Sequence, residues 1–280
     1  MMIKKHVGHV VHIPALALAL SAALYGGFAS AADWEGYERM DRSTTEQRLQ
    51  QGTAPLDLSA HNFSNVDLNK VDFKAANLSA SVFNGANLHE AKLDGVNLTV
   101  AFLEHANLSG ASFRKAEMFS VQVSGSDLRG ADLSDARVIG DLRNTNLTGA
   151  HLEHLRGAAD MKNQSMGLMR TDLSHSIAVK ANFSQAQLAS AKMDFADFTD
   201  ALMQQANLNS ADLSGSTLLR ADLTGADLRG ATLIDTDLTG AKLAGADFTE
   251  ANLRGAKGLE HVDRSTVKGL PADDKTTAAN

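Results

Sequence analysis

A large apolar residue returns at every fifth position along most of this chain. Leu58, Phe63, Leu68, Phe73, Leu78, Phe83, Leu88 and Leu93 open a series that runs to Val138. It resumes at Leu168 and Leu173 and, after Ala178, continues from Phe183 through Met193 and Phe198 to Leu253. Five matches neither the 3.6-residue turn of a helix nor the two-residue repeat of a strand. A helix would spread these side chains around its whole circumference, and a flat strand would send successive ones to opposite faces. The spacing works if the chain turns a corner after each unit.

The rest of the unit fits that geometry. Two residues before each large apolar residue sits a small one, usually Ala, as at Ala76, Ala86, Ala106 and almost unbroken from Ala181 to Ala211. Small and large residues, two apart, point the same way from one short edge and fill the core. Asp or Asn stands between them, as at Asn77, Asn107, Asp132 and Asp222, and points outward. Ser, Thr or Arg and then often Gly follow, residues suited to a corner. Repeating this winds the chain around a narrow core, with coils stacked at the strand spacing of ~4.8 Å. Aromatics at 5% and hydrophobic residues at 44% suit a narrow core of Leu and Ala.

Units such as Ala211-Asp212-Leu213-Ser214-Gly215 and Ala221-Asp222-Leu223-Thr224-Gly225 resemble the pentapeptide repeat family over roughly residues 56–256. The resemblance implies an all-β fold, a right-handed quadrilateral parallel β-helix with four units to a coil, so that residues 20 apart stack, Phe63 on Phe83 and Phe73, Leu93 and Phe113 in one column. About nine to ten such coils would make a rod of about 45 Å. It also implies two activities found in the family: a DNA-mimicking inhibitor or protector of a type II topoisomerase, and a secreted effector.

The flanks lack the period. Lys4-Lys5, an apolar stretch that includes Ala15 to Leu20, and Ala29-Ser30-Ala31 read as a signal peptide over 1–31, cleaved after Ala31. No span of ~20 apolar residues is left once it is removed, so no integral membrane segment is expected. The destination is the periplasm or the exterior. Cleavage leaves 24 basic and 33 acidic residues, a net charge of −9, which argues against a nucleic-acid partner held by basic groups. Residues 32–54 are read as a helical N-terminal cap. Ser43-Thr44-Thr45-Glu46 reads as a capping box and Gly52 as the stop, with Trp34 and Tyr37 over the first coil and Pro55 starting the rod. The repeats form block 1 (55–138) and block 2 (168–257), with a register break over 139–167. There Leu142, Leu147 and Leu152 keep the period in another phase, which leaves a loop, a kink or a divide between two rods all open. Residues 258–280 are read as a polar, disordered tail. Open coil ends are compatible with an end-to-end dimer.

No catalytic constellation stands out. Zero cysteines exclude disulfides and thiolate metal sites. His151, Glu153, His154 and Asp160 are a metal-site candidate that reads more simply as surface residues of an irregular stretch. Neither an enzyme nor a cofactor is expected. The informative departures are bulky apolar residues at outward or corner positions. Phe102 replaces Asp/Asn, Val82 lies 20 residues before it, and Val100 and Phe119 occupy nearby corners. Together they are expected to form an exposed apolar patch for an unknown protein partner. Phe195 and Ile234 form a second, weaker group. The reading is an exported, non-catalytic β-helical scaffold that binds another macromolecule.

Overall fold

The computed structural model describes residues 34, 36–52, 56–158 and 170–270. The leader expected over 1–31, Pro55, Asp160, Leu168 and the last ten residues lie outside them. Among the described residues, no helix is long and apolar enough to cross a membrane.

The corner chemistry sets the fold. The large residue of a unit accepts a bond from the amide three positions on, as in Val66 N–H to the Phe63 carbonyl at 3.1 Å and Ala86 N–H to Phe83 at 2.9 Å. The third residue of each such turn has positive φ, whether it is Gly85 (+67°) or Asn65 (+59°), the signature of a type II turn. At Lys74 and Ala75 both central residues are left-handed (+50° and +56°), as a type I′ turn requires. The outward Asp or Asn side chain then accepts from the backbone N–H two residues on, inside the same corner. Ser59 bonds Asp57 at 3.0 Å, Ser79 bonds Asn77 at 3.2 Å, and Thr249 bonds Asp247 at 3.0 Å. Outward carboxylates and amides therefore brace the corners in Asx turns.

Between corners the edges pair in parallel with the coils before and after. Four columns of bridges define four faces. The first passes through Asp57, Asn77 and Asn97, the second through Asn62, Val82 and Phe102, the third through Asp67, Asn87 and Asn107, and the fourth through Asp72, Lys92 and Ser112. The core between them is continuous. Leu58, Phe63, Leu98, Leu188 and Leu223 are completely buried, as are Ala76, Ala111 and Ala211. The Phe63 ring stacks on Phe83 at 4.6 Å and 3°, as the 20-residue spacing predicts. Each buried large side chain contributes roughly 1.5–3 kcal/mol, which only stacking makes available, because one unit alone leaves its inner face wet.

The register break is two separate events in one rod. Strand β3 (Glu117–Gln122) pairs with β4 (Arg137–Asp141), and the register shifts between Phe119 and Val121. Ser120 has no opposite number, so the next coil turns with one residue fewer. Glycine is required there. A Cβ on Gly140 would lie 2.1 Å from the Val121 carbonyl oxygen. The coils then pair 19 residues apart, as in Arg137 with Arg156, and next 31 apart, as in Arg156 with Gln187. That step holds eleven residues beyond the usual 20 and, with the one residue lost before it, restores the phase modulo five. Asp141 with Asp172, Asn146 with Ile177 and His151 with Asn182 bridge directly, so the two blocks are neither split nor divided. Residues 141–157 stay in the coil. At the junction, Gly157 takes a large-residue position, and a Cβ there would meet the Thr171 hydroxyl at 2.7 Å. That buried hydroxyl lies 2.7 Å from the Val138 carbonyl and 2.8 Å from that of Gly157.

Both ends are covered. Strand β1 (Glu38–Arg39) pairs with β2 (His61–Asn62), and Met40, fully buried, tops the core. Helix α1 (Arg42–Gln51) follows, with Leu49 turned inward. Its cap differs from the expected capping box. Asp41 is the N-cap and accepts from Thr44 N–H at 2.8 Å, while Glu46 pairs with Arg42 and does not reach back. Asp41 wins because its carboxylate is already placed where the chain leaves β1. At the other end, the expected disordered tail is corrected over 258–270. Lys268 bridges Asp247, its amide bonds the Ala246 carbonyl at 2.9 Å, and Val267 is buried. Val267 takes an Ala position of the unit and closes the last coil.

Candidate interaction surfaces

The apolar edge inferred from the sequence exists but is not open. Val82, Val100 and Phe102 are buried, Phe102 to 2% exposure. Trp34 lies on Phe102 with ring centroids 4.7 Å apart at 61°, and Tyr37 meets Trp34 edge-on at 5.4 Å. Burial pushes the Tyr37 phenol up. Trp34 and Tyr37 thus cover the side of the rod at the second face and not the first coil's end. Phe119 is half-buried beneath the Arg137 guanidinium, 5.0 Å from its ring centre, a cation–π contact. The expected exposure of these four residues is corrected: an apolar strip in water is costly, and the chain carries its own cover. Trp34 and Phe102 are 68 positions apart in the sequence, so no local pattern joins them.

The histidine group is spread over the fourth face and its corner. His151 Nδ1 lies 3.2 Å from a Glu153 oxygen. Glu153 also accepts from Asn182 and, at 3.2 Å, from the Ser134 hydroxyl. These are cross-coil braces on polar surface, and the described residues assemble no metal-holding cluster.

The faces are chemically mixed. Amide ladders run along the third face, Asn87 donating to Asp67 at 2.9 Å and Asn107 to Asn87 at 3.0 Å. Asp-Leu-Arg units fold each arginine back on its own aspartate, bidentately at Asp227–Arg229 (2.8 and 2.6 Å). That pairing holds the Asp227 carboxyl below its usual range. Arg220 clasps Asp200 across one coil at 2.7 and 2.8 Å. Much of the formal charge is therefore spent within the surface. A cavity of about 600 Å³ opens beside the C-terminal cap, lined by Thr239, Leu243, Lys257, His261 and Val267 among others.

Phe195 is 61% exposed at the corner between the second and third faces. Ile234, its expected companion, is half-buried on the same edge. Two residues missed in the sequence join the exposed set: Ile177 (47%) and Leu202 (40%). Both stand at the Asp/Asn position, the substitution that drew attention to Phe102. Ile177 escapes notice because Ala178 follows it in place of a large residue.

The described residues thus define a parallel β-helix of square section whose faces are braced for display. The matching family model is that of pentapeptide repeats, present in eight copies over residues 62–99, 101–135, 168–205, 206–244 and 231–257. That is more than half of the chain, which belongs to the pentapeptide repeat family and has its right-handed quadrilateral β-helix fold. Among curated proteins none matches. Of solved structures, HetL of the cyanobacterium Nostoc sp. strain PCC 7120, involved in heterocyst differentiation regulation, is similar at 27% identity. The match covers 78% of this chain and 96% of HetL, with a TM-score of 0.36. QnrB1, a plasmid-mediated fluoroquinolone resistance protein, is 20% identical over 72% of this chain and 89% of its own, with a TM-score of 0.36. A pentapeptide repeat protein of the Arabidopsis thaliana thylakoid lumen is 26% identical over 49% of this chain and 93% of its own, with a TM-score of 0.29.

Proposed function

We propose that this protein is an exported, non-catalytic scaffold that binds a protein partner through the long faces of the rod. The observation that carries the reading is how its surface is built. Polar side chains are engaged in corner and cross-coil bonds, which fixes a flat relief and leaves few groups free for chemistry. Among the described residues the exposed large apolar side chains fall in two adjacent coils, Ile177 on the third face, Phe195 at the corner before it and Leu202 on the fourth face, and exposed apolar groups of this kind mark interaction sites. Export is supported by the Lys4-Lys5 start, the apolar stretch and the Ala29-Ser30-Ala31 triplet.

A photo-crosslinking amino acid placed in turn on each face of the full-length protein, in cells that are then fractionated, tests this. The expected result is a mature chain beginning near Ala32 outside the cytoplasm, with one face giving a discrete crosslinked protein. An uncleaved chain in the cytoplasm, with no crosslink from any face, contradicts the proposal.

A further inference from the structure

Ile177, Phe195 and Leu202 all fall in the first two coils after the insertion, and Phe195 is the most exposed. Its ring stacks on His175, one coil earlier, with centroids 5.3 Å apart at 6°. On its other side lies Gly215, where a Cβ would come within 2.6 Å of the ring. The ring is therefore held between two coils with its edge outward. This placement is unfavourable to the rod itself. Phe195 has φ +54°, a left-handed conformation that is unfavourable for an L-residue, and its edge faces water. Asn144, Gly215 and Asp235 serve the same corner in other coils at φ +58°, +64° and +56°.

The ground around the ring is anionic. Asp172 and Asp212 lie on the second face, with Lys192 between them, and Asp194 precedes Phe195 at the corner. Asp197 bridges Ile177 on the third face, and Asp235 stands two coils further along the same corner. Asp194 accepts from the Ser174 hydroxyl and Asp197 from Thr199 N–H. Among the described residues these five carboxylates form no ion pair, unlike Asp200, Asp222 and Asp227. An apolar anchor beside carboxylates that outnumber the nearby Lys192 and Arg143 and form no ion pair with them matches one kind of ligand and repels another. Phosphate-bearing surfaces, whether nucleic acid or anionic lipid, meet like charge.

We propose that this edge docks a cationic segment of a protein partner, with an apolar side chain against Phe195 and Ile177 and its arginine or lysine groups on Asp194 and Asp197. The proposal rests on the scaffold reading and gives it a surface and a partner chemistry. Burial of the aromatic edge supplies the anchor, and the carboxylates supply orientation and association rate.

The test uses the whole mature chain and three probes: a fluorescein-labelled peptide alternating Leu and Arg, its Leu/Glu counterpart, and vesicles containing phosphatidylglycerol. Phe195→Asn removes the ring while keeping a residue that tolerates the left-handed corner, so its melting temperature is expected to equal or exceed that of the parent. Ile177→Thr serves as a second variant. Asp194→Asn/Asp197→Asn keeps the acceptor oxygens and removes the charge. Anisotropy is expected to show the Leu/Arg peptide bound by the parent and weakened tenfold or more by Phe195→Asn and by the Asp pair. Equal binding by the parent, Phe195→Asn and Ile177→Thr overturns the proposal, as does preference for the Leu/Glu peptide or the vesicles. A cellular crosslink that survives Phe195→Asn at full yield sinks this surface while leaving the scaffold reading intact.

Discussion

Asp and Asn alternate freely at the outward position because one oxygen is what the corner needs. The Asp247 side chain accepts from the Thr249 hydroxyl and amide, and Asp263 does the same for Ser265 at 2.7 and 3.1 Å. These bonds hold both carboxyls below their usual range, and Asp57, Asp67 and Asp237 are lowered for the same reason. Depressed folded values mean stability that is fully present above the unfolded carboxylate value near 4 and is lost as pH falls through the folded values. Thermal melts followed by circular dichroism should therefore be flat from pH 7 to 5 and fall steeply below about pH 4. Asp→Asn changes at positions 57, 67, 237, 247 and 263 together should flatten that fall. A parent melting temperature that does not move between pH 5 and 2 contradicts the corner assignment. The same scale explains where glycine is needed. Gly215 leaves room for the ring of Phe195, and Gly125 leaves room for His105, whose Nδ1 a Cβ would approach at 2.6 Å.

At the scale of elements, the pieces that break the repeat govern the surface. The segment carrying Trp34 and Tyr37 covers the strip formed by Val82, Val100 and Phe102, and α1 closes the coil beside it. Trp34→Ala should cost about 3 kcal/mol, at the low end for removing a buried large aromatic. It should also raise binding of a hydrophobic dye while the β-helix signal of circular dichroism is retained. Unchanged dye fluorescence would mean that the strip has another cover. The outward strip was legible from Phe102 standing where Asp or Asn belongs. Its cover was not, because Trp34 reaches Phe102 through the path of the chain and no periodicity records that. The helix was legible as an element, but its start was not. Both Asp41 and Ser43 are good cap residues, and only the exit direction of β1 chooses between them.

For the whole molecule, stability is close to a sum of nearest-coil terms, and inward and outward positions are not equivalent. Leu223 is fully buried in the core, whereas Asp222, though only 9% exposed, points outward and is satisfied by Thr224 N–H and by Lys242 at 3.2 Å. Leu223→Asp should lower the unfolding free energy by at least about 3 kcal/mol, combining a lost leucine with an unpaired buried charge. Asp222→Asn, which keeps the corner acceptor, should cost under about 1 kcal/mol. Equal losses in urea unfolding would reverse the assignment of inside and outside. The −9 charge expected for the mature chain is spread over faces interrupted by Arg137, Arg156, Lys192 and Lys242, a poor likeness of a continuous phosphate track.

The five-residue period by itself determined the coil and which side chains fill it, since each unit meets near-copies of itself above and below and one local rule repeats. Tertiary structure alone decided that Trp34 covers the strip at Phe102, that eleven extra residues leave one rod undivided, and that 258–270 close its end. Each of those outcomes depends on a single contact between distant parts of the chain, and a contact made once leaves no period to read.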